Sequence, residues 1–204
     1  MSSDPPAAYD SLTYAKVNRL DPHHLRRVRE ALPDLAGKDV LEVGCGRGHL
    51  LHLLQRQGAR AVGVDANPHA VANGAADGMQ VADATVLPFD DASFDAVVSV
   101  HTIEHLPDLG PALGEMVRVT RPGGRLLLVY PAEPIMGLWA IPTAVILYRN
   151  PFKARQVHCQ KLTPARLRTR IADLPVQHVW SDFSWRGWPQ YTSVFDVAEV
   201  DAGT

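Results

Sequence analysis

LEVGCGRGHL, residues 41–50, decides the fold. Its first three residues close an apolar run, KDVLEV (38–43), and its last two open HLLHLLQRQ (49–57), which has helical spacing. The segment therefore reads as the joint between a strand and a helix. Gly44, Gly46 and Gly48 alternate across it. Backbone this bare turns tightly and lets a ligand come close, while the first turn of the next helix presents amide groups that no helical carbonyl satisfies. The spacing is G-x-G-x-G, distinct from the G-x-G-x-x-G of dinucleotide sites, and Glu42 stands just before it. A carboxylate there opposes a pyrophosphate and favours a ligand with a positive ammonium or sulfonium.

Outward from that joint the pattern repeats. RAVGVDA (60–66), MQVADA (79–84), FDAVVSV (94–100) and RLLLVYP (125–131) read as strands, and PHAVANGAA (68–76) and LGPALGEMVRVT (109–120) as intervening helices. Such alternation predicts an α/β fold with a mostly parallel, doubly wound sheet, because parallel strands need crossover connections that cover both faces. Upstream, Asp21 and Pro22 read as N-cap and first turn of the amphipathic helix HHLRRVREAL (23–32). Residues 1–20 form a tail and cap segment. Residues 131–162 are an apolar, proline-punctuated insertion. After it come the helix TPARLRTRIADL (163–174) and two β-rich runs, VQHVWSDFSW (176–185) and YTSVFDVAEV (191–200), expected to pair as an antiparallel hairpin.

The chain has 204 residues, 46% hydrophobic and 21% charged, enough for one full core, and residues 21–204 are expected to form one domain. A formal net charge of -2 lacks the basic excess of a general nucleic-acid binder, so no nucleic-acid partner is expected. The two cysteines, Cys45 and Cys159, are too few for a disulfide framework, and the start lacks the charged and apolar regions of a secretory signal. A cytoplasmic location is the expectation. Oligomeric state is not readable.

Three strand tips converge on one ligand. Asp65, ending the second strand 19 residues after Gly46, suits the hydroxyls of a ribose, followed by Ala66. Asp83 and the backbone of Ala84, at the end of the third, suit an adenine. In open parallel sheets ligands lie at the carboxyl ends of the strands, so the convergence is physically coherent. Cys45 reads as a small residue that fits the loop.

Four motifs in order, VLEVGCGRGHL, VGVDAN, ADATVLPFDDASFDAVVSVHTIEHLPD and RVTRPGGRLLLVYP, resemble the class I S-adenosylmethionine-dependent methyltransferases, and within them the small-molecule branch that includes quinone-biosynthesis enzymes. The resemblance covers about residues 37–131. It implies a Rossmann-like, seven-stranded sheet whose last strand is antiparallel, with S-adenosylmethionine as cofactor and S-adenosylhomocysteine as product. By that resemblance Glu42 and the loop Gly44, Cys45, Gly46 and Gly48 hold the methionine portion, Asp65 the ribose, and Asp83 with Ala84 the adenine; residues 101–105 line the boundary with the acceptor. A cofactor-binding protein with non-methylating chemistry and an NAD-dependent oxidoreductase are the alternatives, the second disfavoured by the glycine spacing and Glu42.

At the end of the fourth strand His101 is the candidate general base, since an imidazole titrates near neutrality, and it also borders the cofactor. HTIEH (101–105) matches the H-x-x-E-H of inverted zinc proteases, but His101 follows a strand and does not share a helical face with His105, and His49/His52 and His158/Cys159 are short of partners. No metal is expected. His23 and His24 read as exposed helix residues. IMGLWAIPTAVILY (135–148) is shorter than the roughly 20 residues that cross a bilayer. It is either a buried packing segment, the slightly favoured reading, or a lid over an apolar acceptor that touches a membrane peripherally. The acceptor is then a hydrophobic or aromatic small molecule met by Tyr130, Trp139, Tyr148 and His105, with Tyr9 and Tyr14 closing over it.

Overall fold

The computed structural model describes residues 22–135, 137–185 and 189–199; the tail, Asp21, Tyr9 and Tyr14 lie outside them. The elements are α1 (Pro22–Ala31), β1 (Asp39–Val43), α2 (His49–Arg56), β2 (Arg60–Asp65), α3 (Pro68–Ala72), β3 (Met79–Val81) and β4 (Phe94–Val100). A first 3-10 turn (Ile103–His105), α4 (Leu109–Val119) and β5 (Thr120–Pro131) follow. Next come α5 (Ile141–Tyr148), a second 3-10 turn (Pro151–Lys153), α6 (Ala154–Val157), α7 (Pro164–Arg170), β6 (Val176–Ser184) and β7 (Gln190–Val197).

These strands form one seven-stranded sheet in the order β3-β2-β1-β4-β5-β7-β6. Pairing is parallel from β3 through β5, and β7 runs antiparallel to both β5 and β6. The predicted α/β class, the reversed strand and the terminal hairpin are all present. The central strands are apolar on both faces because both are covered. Leu126, Leu128 and Tyr130 of β5 pack with α4 and α7 residues such as Leu113, Met116 and Leu167. Leu127 packs on the opposite face with Val28 of α1 and Leu50, Leu51 and Leu54 of α2. Each such fully buried side chain contributes about 1.5–3 kcal/mol. At the outer edge β6 carries exposed and half-buried residues up to a buried Ser184, and Arg27 of α1 forms an ion pair with its Asp182.

Three sequence expectations are corrected by burial. His24, expected at the surface, is buried, because its helix lies against the sheet and its Nε2 is 3.2 Å from Gln190 Oε1. The 135–148 segment, favoured as buried, keeps only part of its apolar surface inside: Ala144 is buried, while Val145 and Ile146 are about half exposed, at 46% and 51%. Tyr130, expected against the acceptor, is wholly inside the core. Its hydroxyl lies 2.8 Å from Ser193 Oγ, which also meets Ser181 Oγ at 2.8 Å.

Tyr130→Phe should therefore cost about 0.5–1.5 kcal/mol of stability, the worth of one buried hydrogen bond, and leave cofactor affinity unchanged. Thermal unfolding alongside calorimetric titration checks both; a large loss of turnover at unchanged Tm would restore an acceptor role.

Candidate functional site

The parallel ladder lines up three strand ends. Val43 of β1 pairs with Val64 of β2 and with Ser99 of β4, so the chain leaves the sheet beside itself at Gly44, Asp65 and His101. Gly44 has φ +76°. A Cβ there would sit 1.9 Å from Thr102 Oγ1, so only glycine lets the loop and the β4 exit pass each other. Gly46 N–H donates to Asp65 Oδ2 at 2.7 Å, and Asn67 N–H to Asp65 Oδ1 at 2.8 Å. Asp65 thus braces the loop, with lone pairs remaining for a ligand hydroxyl. The N-cap of α3 is Asn67, whose Oδ1 accepts from His69 N and Ala70 N. Asn before Pro at a helix start is the sequence signal for it.

Glu42 is buried at the tip of β1, and its Oε2 has no hydrogen-bond partner among the described residues. Burial, then the charge of Asp65, pushes its carboxyl well above the ordinary range, against a smaller opposing pull from the Leu51 N–H. An unpaired buried carboxylate oxygen is costly unless a ligand cation meets it. Such an acceptor suits the ammonium of a methionine group. Burial, then the charges of Glu42 and Asp65, also drives the Cys45 thiol pKa upward, so that cysteine is a packing residue.

The third tip is held differently. Asp83 is exposed, and its Oδ1 accepts from Thr85 N and Thr85 Oγ1, both at 2.8 Å, while Ala84 is buried. Arg118 of α4 secures the loop beyond them, donating to Phe89 O at 2.9 Å and Leu87 O at 3.2 Å, while Glu115 accepts from Leu87 N at 2.7 Å. Neither residue was legible as a site support from sequence. Ala66 is exposed at the β2 exit.

His101 carries φ +52°, an uncommon backbone state for a side-chain-bearing residue. Its Nε2 is 2.8 Å from Gln190 Oε1 and its Nδ1 3.3 Å from Glu104 Oε1. Glu104 is buried. Burial works upward on its carboxyl, but the His101 hydrogen bond and the neighbouring imidazoles outweigh it and hold the group down at about 2. His105, expected near the acceptor, is partly buried with Nδ1 2.7 Å from Val157 O; burial, chiefly, lowers its pKa. Trp139 Nε1–H donates to Ala132 O at 3.1 Å, and the half-buried Tyr148 ring lies under Lys153 Nζ at 5.0 Å. Gln190, Glu133 and His158 belong to this cluster and carry no local motif; only the fold brings them to residues 101–105.

A loop braced by Asp65, a buried carboxylate oxygen without a partner among the described residues and a strand-end histidine thus meet at the carboxyl ends of a parallel sheet, where α/β proteins take their ligands. Residues 41–128 match the family described as "Methyltransferase domain". Demethylmenaquinone methyltransferase of Mycolicibacterium gilvum (strain PYR-GCK) is 33% identical over 166 residues, covering 80% of this chain and 67% of that one. The protein of the same name from Mycobacterium tuberculosis (strain ATCC 25177 / H37Ra) is 34% identical over 178 residues, covering 81% and 76%. Among solved structures, the complex between the Haloferax volcanii Trm112 methyltransferase activator and a methyltransferase matches with TM-score 0.74 at 18% identity, covering 98% of this chain and 100% of that one. The chain belongs to the class I S-adenosylmethionine-dependent methyltransferases, with S-adenosylmethionine as its cofactor.

Glu42→Gln tests the electrostatics. A carboxyl whose folded pKa lies above its unfolded value of 4.5 contributes stability that is full below that pH and lost as pH rises through the folded value. The variant should flatten this decline, so ligand-free protein at pH 7 melts higher than wild type, while S-adenosylmethionine binds at least about tenfold more weakly, about 1.4 kcal/mol. Melting curves from pH 4 to 8 and calorimetry decide; unchanged affinity removes Glu42 from the ligand site. Gly44→Ala should cost about 1–3 kcal/mol through the Thr102 collision, read as a fall of about 2–4 °C in Tm per kcal/mol.

Proposed function

We propose that the protein methylates a small hydrophobic or aromatic acceptor, of the quinone or phenol type, bound between His101 and the 131–162 segment. The observation that carries the reading is the adjacency of two groups at neighbouring strand ends: Glu42 with its unpaired oxygen on β1 and His101 just past β4, in strands paired Glu42 to Val98. One marks the cofactor's cationic end and the other the side where an acceptor arrives. Glu42 and the Gly44–Gly48 loop then hold the methionine portion, Asp65 the ribose, and Asp83 with Ala84 the adenine.

S-adenosylmethionine supplies a methyl group already activated by its sulfonium, so the chain's work is alignment, exclusion of water and proton management. Glu104 holds His101 Nδ1, so that Nε2, on exchanging its Gln190 contact for an acceptor hydroxyl, takes that proton, and Glu104 stabilises the imidazolium that forms. The apolar acceptor is supported by the exposed Ile135, Ile141, Val145, Ile146 and Phe152 along this segment, and by relatives named demethylmenaquinone methyltransferase. Trp139 and Tyr148 lie in the same segment and offer aromatic contact.

Release of S-adenosylhomocysteine should be seen with hydrophobic hydroxyquinones or phenols and not with polar amines or amino acids; turnover of only the polar set overturns the acceptor class. His101→Ala should lower kcat by about 10²-fold or more with cofactor affinity nearly unchanged. Equal turnover in the variant eliminates the base assignment.

A further inference from the structure

Besides meeting His101, Glu104 belongs to a second constellation, with two histidines that the proposed methyl transfer does not use. Glu104, His105 and His158 each offer one ligand atom, and these atoms all lie within 4.8 Å of one another. Glu104 and His105 come from the 3-10 turn after β4, and His158 from the end of α6, 53 positions later in the chain than His105. Two backbone hydrogen bonds clamp the strands of chain together: Cys159 N–H and Gln160 N–H both donate to Glu104 O, at 2.8 and 3.1 Å.

Both imidazoles are oriented. His105 Nδ1 lies 2.7 Å from the Val157 carbonyl oxygen, which only accepts, so Nδ1 carries the hydrogen and the lone pair of the neutral ring is on Nε2. His158 Nδ1 lies 2.7 Å from Glu133 Oε1, which fixes the same tautomer. Glu133 is itself fixed by Gly137 N–H at 2.8 Å and Trp139 N–H at 3.0 Å. A carboxylate or carbonyl behind each histidine is the arrangement that metal-binding imidazoles use to set tautomer and raise basicity. The third side chain is Glu104, 1% exposed: its Oε1 lies 3.9 Å from His105 Nε2, and its Oε2 is buried without a hydrogen-bond partner among the described residues. Such an oxygen calls for a cation.

We infer that Glu104, His105 and His158 form a three-ligand site for a divalent transition-metal ion of the zinc type, with Glu133 and the Val157 carbonyl orienting the two histidines. Two nitrogens and one carboxylate oxygen suit zinc, whose catalytic-type sites keep three protein ligands and one open position. Ligands about 2.0–2.2 Å from a tetrahedral ion stand about 3.4 Å apart, so the three atoms close by roughly 1.4 Å at most on binding. The ion fastens the 131–162 segment, through His158 and Glu133, to the end of β4 that carries His101. The set differs from the H-x-x-E-H reading of the sequence: His101 turns to Gln190 and Glu104, and the second histidine comes from a distant helix end.

The test is metal binding by the full chain, independent of any acceptor. Chelator-treated protein titrated with zinc chloride against a chromophoric chelator should take up one equivalent, and cobalt chloride should give the intense visible bands of a four-coordinate ion. Glu104→Gln and His158→Ala should each weaken zinc binding by more than about 100-fold, and Glu133→Gln by about 10–100-fold. His52→Ala, on the exposed face of α2, should bind as wild type. Circular dichroism identifies any variant that fails to fold; for such a variant Glu133→Gln alone decides, together with a zinc-dependent rise in the Tm of wild type. Zinc uptake well below one equivalent by wild type, or affinity unchanged in Glu133→Gln and His158→Ala, overturns the site.

Discussion

Parallel register between β1 and its two neighbours is the constraint on which the site depends. Val43 faces Val64 on one side and Ser99 on the other, so three chain segments leave the same edge of the sheet within one residue of each other. A slip of one residue in either ladder would turn Glu42 or His101 to the opposite face, because side chains alternate along a strand. The register is held by the two-sided core: Leu41, Val43 and Val97 pack on one face and Val40 and Val98 on the other. Function at the strand tips is thus fixed by packing in the strand bodies.

Three buried glutamates show how burial sorts structural from ligand-directed charge. Glu133 is fully answered by two backbone N–H groups and His158. Glu42 and Glu104 each keep one oxygen without a partner among the described residues. Their surroundings differ in sign. Glu42 faces the carboxylate of Asp65 and is driven toward its neutral form, whereas Glu104 faces imidazoles and stays ionised. A cationic ligand entering the loop would relieve the first; imidazoles answer the second, together with the proposed metal ion. At Glu42 the chain gives up folded-state stability at neutral pH, whereas the imidazoles around Glu104 offset the burial of its charge.

Above them the 131–162 segment is packed on its own terms. Ala140, Ala144, Ala154 and Val157 form a small cluster separate from the two main ones, with Tyr148 against it. Small residues inside and large apolar ones outside leave this region with less buried surface than the sheet, so its opening costs less than global unfolding. Among the described residues its ties to the rest of the fold include hydrogen bonds from Cys159 and Gln160 to Glu104 O and from Gln160 to the carbonyls of Leu106 and Pro107. Others run between His105 and Val157 O and from Ala132 N to Pro189 O, and Leu162 lies in the main core. The segment's exposed apolar faces are what the proposed acceptor would meet.

Much of the fold was legible because local pattern carries it. Apolar runs separated by helical spacing specified the alternation, and Gly44, Asp65 and His101 were marked by their positions at the ends of β-rich runs. What only the tertiary structure decided depends on contacts between residues far apart. Nothing near Tyr130 says that β7 will bury it against Ser193; nothing near His24 says that Gln190, 166 positions away, will meet it. His158 looked partnerless beside Cys159, and Glu104 looked like one letter of a motif, until the ladder and the insertion brought them together. Local sequence sets backbone state and amphipathicity over a few turns, so it determines which elements form and which residues stand at their ends. Burial and partnership are properties of surfaces joined across the chain, and the closed fold alone assigns them.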